Sequence, residues 1–159
     1  MTFKELTAVF TIYANNFKIL HWGAIGRGFD IIHEQSEKYY NMLSEDLDKV
    51  AEMALRMNET PAAHFETTGI LADFEGREFF IFETYKNCDF DDFTKISTVM
   101  LQDITICLIE VLHNECFDTS DNNNLINIGI KAELEGLVNK YDLEARYLSA
   151  RRFKEKESK

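Results

Sequence analysis

A chain of 159 residues, 45% hydrophobic and formally −11 at neutral pH, can bury one sizeable core and is too acidic to hold nucleic acid through a general phosphate-binding surface. One proline and seven glycines favour long uninterrupted helices over a many-turned β fold. No apolar run approaches the roughly 18 residues of a membrane span, and the Met-Thr-Phe-Lys-Glu-Leu start carries no signal pattern, so a cytosolic protein without membrane contact is expected.

Residues 2 to about 23 read as a first helix, with Thr2 as N-cap and Glu5 completing a capping box. Phe3, Leu6, Phe10, Tyr13 and Phe17 make one apolar stripe. Ala8, Ile12 and Ile19, with Asn15 beside them, make a thinner one on nearly the opposite side. A helix apolar on two faces is expected to be buried twice, inside its own bundle and against a neighbouring subunit. His21 falls on the first stripe, where a core histidine bonded to a backbone carbonyl is the plain expectation.

Gly23, Gly26 and Gly28 predict a tight connection into a second helix, from about 28 to 57. Asn58 is its left-handed cap and Pro61 blocks continuation. Gly-Arg-Gly here lacks the preceding strand of a dinucleotide fingerprint. The second helix turns Ile32, Tyr39, Leu43, Leu47, Val50, Ala54 and Met57 inward. His33, Glu37, Asp48 and Glu52 lie to the side and back, spanning about a quarter to a third of the circumference at roughly 100° per residue. Each i,i+4 pair, His33/Glu37 and Asp48/Glu52, could pinch one cation, but at about 1.5 Å per residue the pairs stand roughly 22 Å apart. Two such helices paired antiparallel across a two-fold axis near Met42 and Leu43 would bring the first pair of one subunit level with the second pair of the other. The alternative is an ordinary solvated acidic face; His33 argues for a transition metal, which imidazole binds better than magnesium or calcium.

From Pro61 to Cys88 a long crossover containing a short helix is expected; Phe79 to Phe82 has strand propensity but no partner strand. A third helix, from about 91 to 115, carries Phe93, Ile96, Met100, Ile104, Cys107 and Val111 on one face. Asp118 to Asn124 reads as a polar turn. A fourth helix follows to about 150 through Ile126, Ile130, Leu134, Leu137, Tyr141 and Leu148. The fold class is therefore all-α, a ferritin-like four-helix bundle over residues 1–150 with one long crossover. Residues 151–159, with five basic and two acidic side chains, form a basic tail read as a frayed, solvated helix end. Cys88, Cys107 and Cys116 form no CxxC and are expected as buried free thiols.

Residues His21-Trp22, Gly26, Phe29, His33-Glu34, Asp48, Ala51-Glu52 and Pro61 resemble, in order and spacing, the pattern of the Dps family, the DNA-protecting miniferritins of starved cells. The resemblance covers roughly residues 15 to 61. It implies a hollow shell of twelve four-helix subunits, with ferroxidase centres made by His21, His33 and Glu37 of one subunit and Asp48 and Glu52 of its two-fold partner. It further implies that ferrous iron is oxidised there, by hydrogen peroxide in preference to dioxygen, and stored as ferric mineral. Glu37 stands where the family usually has Asp, and Met53 where an Arg usually follows the Glu. The family's late Trp is not evident. Asn122, Asn123 and Asn124 stand near its acidic pore residues, leaving Asp118 and Asp121 as pore candidates. Without a long Lys-rich arm before the first helix, DNA coating is not implied.

Three other readings compete, the least favoured being a DNA-binding protein acting through its basic end, residues 151–159. Glu110-Val-Leu-His113 with Asp30-Ile-Ile-His33 could form a di-iron site inside one bundle. A shell or scaffold that keeps the fold without iron oxidation is the non-enzymatic alternative. His113 is otherwise expected near a helix C-terminus and His64 on the surface.

Overall fold

The computed structural model describes the backbone of residues 1–116 and 124–157 and the side chains of residues 1–115 and 128–150. The helices are α1 (Phe3–Gly23), α2 (Phe29–Arg56), the short α3 (Thr67–Ala72), α4 (Phe90–Cys116) and α5 (Asn124–Glu157). The four-helix bundle and the crossover with its short helix are thus as expected, and α5 runs on past residue 150 to Glu157.

The caps follow the sequence. Thr2 accepts from the Glu5 N–H, and the Glu5 carboxylate accepts from the Thr2 N–H at 2.7 Å, a reciprocal box that closes α1. Asn58 adopts φ 59° after α2. At Gly23, the end of α1, the requirement for glycine comes from packing: a Cβ there would stand 1.9 Å from the Lys86 carbonyl oxygen. There the Cys88 N–H donates to the Gly23 carbonyl at 2.7 Å, and the Ile25 N–H donates to the Cys88 carbonyl at 3.0 Å. This single parallel bridge, Ala24 to Cys88, is the β feature among the described residues.

Side-chain register fixes the directions of the helices. Phe17 meets Tyr39 and His21 meets His33, so α1 and α2 are antiparallel. Lys38 meets Glu144, Asp46 meets Lys140 and Arg56 meets Glu133, so α2 and α5 are antiparallel. Tyr13 meets Asp103 and Asn16 meets Met100, so α4 opposes α1 and therefore runs parallel to α2. Parallel neighbours cannot be joined by a short turn, which is why the crossover is long.

The crossover also closes the second stripe of α1. Ala8, Ile12 and Ile19 are buried within this one chain, so a neighbouring subunit is not what covers them. The Ala62 N–H donates to Thr7 Oγ1, and the buried Asn16 amide donates to the Phe80 carbonyl at 2.7 Å while accepting from the Phe82 N–H at 3.2 Å. The Asn16 side chain thereby takes the place of the missing partner strand for the Phe79–Phe82 run. The core proper holds Phe3, Phe10, Phe17, Tyr39, Leu43, Met100 and Tyr141, with Phe10 packed edge-on against Tyr141 at 5.6 Å.

Candidate metal centre

At the connected end of the α1–α2 hairpin, His21 and His33 stack with ring centroids 3.7 Å apart. The Nδ1 of His21 lies 3.0 Å from the His33 carbonyl oxygen. That carbonyl can only accept, so Nδ1 carries the proton and Nε2 keeps its lone pair for a ligand. Tyr40 meets the His21 ring edge-on at 5.7 Å and Phe29 flanks His33 at 5.5 Å. Trp22 is next to this pair and 64% exposed. The carbonyl bond expected of His21 is thus present, on a half-buried ring rather than a core one, and a histidine tied in this way can still offer its other nitrogen to a ligand.

Glu37, Asp48 and Glu52 are exposed on the outer side of α2, opposite the buried arc of Ile32, Ser36, Tyr39, Leu43, Val50 and Ala54. Leu47 and Met57 are half-buried at the edge of that arc. Met42 and Leu43, the level expected for a two-fold axis, face the chain's own core; the outward residues at that level are Asn41, Ser44 and Glu45. Among the described residues no three His, Cys, Asp or Glu side chains come together to hold an ion within one chain. The donor set itself, imidazole plus carboxylates, fits ferrous iron as substrate. Met53, in place of the usual Arg, is fully buried and packs in the core.

A further carboxylate of α2, Asp46, escaped the sequence reading. The Asp46 side chain is wholly buried in the α2–α5 seam, where Lys49 Nζ donates to it at 2.7 Å, Lys140 Nζ at 2.6 Å and the Tyr141 hydroxyl at 2.9 Å. Burial alone would raise the Asp46 carboxyl, but the hydrogen bonds from Lys140, Lys49 and Tyr141 hold it below the ordinary carboxylate range. Its angular position, about 50° from the centre of the apolar arc, was the available signal.

The Glu-x-x-His of α4 does not build a site inside the bundle. Glu110 is ion-paired to Arg77 of the crossover, and His113 is exposed, as is His64. Arg77 also donates to Cys107 Sγ at 3.0 Å, beside an Asp103 carboxylate that accepts from the Tyr13 hydroxyl at 2.7 Å. Cys88 and Cys107 are buried free thiols. The pore candidates Asp118 and Asp121, the neighbouring Asn122 and Asn123, the Cys116 thiol and the side chains of Asn124 and of residues 151–159 lie outside the described residues.

No family model matches the chain. A DNA protection during starvation protein from Porphyromonas gingivalis is 37% identical over 60 residues, which is 38% of this chain and 38% of that relative. Among solved structures, Helicobacter cinaedi CAIP superposes with a TM-score of 0.69 at 15% identity, covering 94% of this chain and 96% of that one. A DPS protein from Vibrio cholerae, described as a member of the ferritin-like diiron-carboxylate superfamily, gives 0.62 at 20% identity over 89% and 84%. Dps from Staphylococcus aureus gives 0.59 at 17% identity over 90% and 91%. The chain is thus similar to the Dps-family miniferritins, in sequence over about a third of its length and in ferritin-like fold over most of it.

Proposed function

We propose that this protein is an iron-storing miniferritin that oxidises ferrous iron at centres shared between two-fold related subunits and keeps the ferric product as mineral inside a closed shell, in the cytosol. The observation that carries this is the split ligand set: His21, with its Nε2 left open, His33 and Glu37 at one end of the outer face of α2, and Asp48 and Glu52 about four turns along it. An antiparallel partner helix supplies the missing half to each end. A dodecamer built from such dimers is the assembly that the Dps resemblance favours.

The division of labour follows from ligand chemistry. Imidazole raises the affinity for the softer ferrous ion, while Glu37, Asp48 and Glu52 favour the harder ferric product. Two ferrous ions give one electron each to hydrogen peroxide, which takes up two protons and leaves as two waters. Using both electrons in one event avoids release of hydroxyl radical. Dioxygen is the second oxidant to be compared. The formal charge of −11 draws cations toward the shell and argues against DNA as a partner.

Stopped-flow absorbance tests the reading. Protein loaded anaerobically with ferrous iron and mixed with peroxide should show a fast ferric signal, lost in His33→Ala/Asp48→Ala. Equal traces for the two proteins would leave the non-catalytic shell as the answer.

A further inference from the structure

The basic side chains of α2 are all drawn away from its outer face. Lys38 donates to Glu144 of α5 at 2.7 Å, Arg56 forks onto both oxygens of Glu133 at 3.0 and 2.9 Å, and Lys49 donates to the buried Asp46 at 2.7 Å. These three are the lysines and arginines of the helix. The outer face is left with exposed Asp30, Glu34, Glu37, Glu45, Asp48 and Glu52 and no lysine or arginine of α2 among them. Sequence spacing alone would allow the opposite outcome. Lys49 is placed i,i+3 from Glu52 and i,i+4 from Glu45, and Lys38 is i,i+4 from Glu34, all favourable pairings on a helix. An ammonium in either place would occupy carboxylate oxygens and cancel the field a cation needs. What decides between the two is the seam. Asp46 is a wholly buried carboxylate where an apolar residue would be expected to pack at least as stably.

We propose that Asp46 is a positioning residue for the cation-binding face: it holds the Lys49 ammonium at the rim of the α2–α5 seam, as Glu144 holds Lys38, and so keeps ammonium groups off Glu34 and Glu52 and leaves the outer carboxylates to a divalent cation. The inference rests on the ferroxidase reading of that face and adds to it the residues that keep it free.

Calorimetric titration of the full-length, assembled protein with cobalt(II), a redox-stable stand-in for ferrous iron, provides the test. Asp46→Asn should weaken cobalt binding about fivefold, the equivalent of one surface ion pair of ~1 kcal/mol competing for the carboxylates. Asp46→Asn/Lys49→Gln should regain wild-type affinity while its denaturation midpoint stays low, which a purely structural role for Asp46 would not produce. Lys49→Gln alone should bind as wild type. Glu144→Gln, and its rescue by Lys38→Gln, repeats the logic at a pair that reaches the surface, should Asp46→Asn fail to fold. Wild-type affinity in both single carboxylate variants, or a loss that removing the lysine does not reverse, overturns the proposal and leaves the ferroxidase reading standing. A folded, assembled wild type that binds no cobalt overturns both.

Discussion

The Nδ1 of His21 is 3.0 Å from the backbone carbonyl oxygen of His33, so one hydrogen bond ties the end of α1 to the first turns of α2 and sets the tautomer of a candidate ligand. Nitrogen NMR of labelled histidine should find His21 protonated at Nδ1 near neutral pH. His21→Phe, which keeps a ring against Tyr40, should leave the fold intact and weaken ferrous binding at the centre by about tenfold or more, the range expected for losing a ligand or its orienting partner. Unchanged affinity would remove His21 from the ligand set.

Gly23 is needed because the crossover backbone lies against it. Gly23→Ala forces the Lys86 carbonyl outward and breaks the short bridge between Ala24 and Cys88. Overpacking against backbone costs roughly 1–3 kcal/mol, and urea denaturation should show a loss of that size. Gly26→Ala, where φ is 74° but no atom lies within 4 Å of the added carbon, should lose less, through backbone strain alone.

Burial raises the thiols of Cys88 and Cys107 to about 12, outweighing the guanidinium of Arg77 at Cys107. A thiol with so little thiolate is a poor nucleophile. Neither cysteine should be alkylated by iodoacetamide, or oxidised by peroxide at the concentrations used for iron oxidation, until the protein is unfolded. Mass spectrometry of peptides after timed labelling decides this.

The parts of the molecule legible in the sequence are those in which local periodicity and tertiary packing agree. The Phe3-to-Phe17 stripe, the Thr2–Glu5 box and the left-handed Asn58 all stand as read. The crossover was legible only in outline, because what holds Phe79 to Phe82 is the side-chain amide of Asn16, a residue on α1 that reads as part of a polar Asn-Asn pair. Asp46 was easily misread for a related reason, despite its angular position. A carboxylate among Glu45, Asp48 and Glu52 looks like one more solvated charge, and its partners Lys140 and Tyr141 come from a helix nearly a hundred residues on. The candidate ligand set, by contrast, could be put forward from the sequence because four of its five residues, His33, Glu37, Asp48 and Glu52, lie at regular spacing along α2.

Asp103 gives the protein a titration of opposite sense to Asp46. Burial raises its carboxyl above the ordinary value, against the Tyr13 hydrogen bond and the Arg77 charge, which lower it. A group with a raised folded pKa adds stability that is fully present below the unfolded pKa, about 3.9, and is lost as pH rises through the folded pKa. The stability advantage of wild type over Asp103→Asn should therefore be largest in mild acid and shrink toward neutrality. Denaturation curves of the two proteins between about pH 4 and 7 would show the trend; a difference that grows with pH would place the carboxyl below its ordinary value instead.

A shared centre makes a quantitative prediction that a single-chain site does not. With centres so shared, His33→Ala and Asp48→Ala should each disable every centre in their own homodimers, since each two-fold pair would hold two centres and each centre would need His33 from one chain and Asp48 from the other. In a mixed pair one centre lacks both residues and the other lacks neither. If the two variants are dissociated, mixed in equal amounts and reassembled, about half the pairs are mixed and half of their centres are whole, so about a quarter of the wild-type fast phase should return by random pairing. Centres built within one subunit would return none. Recovery that follows the mixing ratio, with a maximum at equal amounts, requires the ligands to come from different chains; no recovery at any ratio, with reassembly verified by native mass, would mean that the two ends of α2 do not serve a common centre.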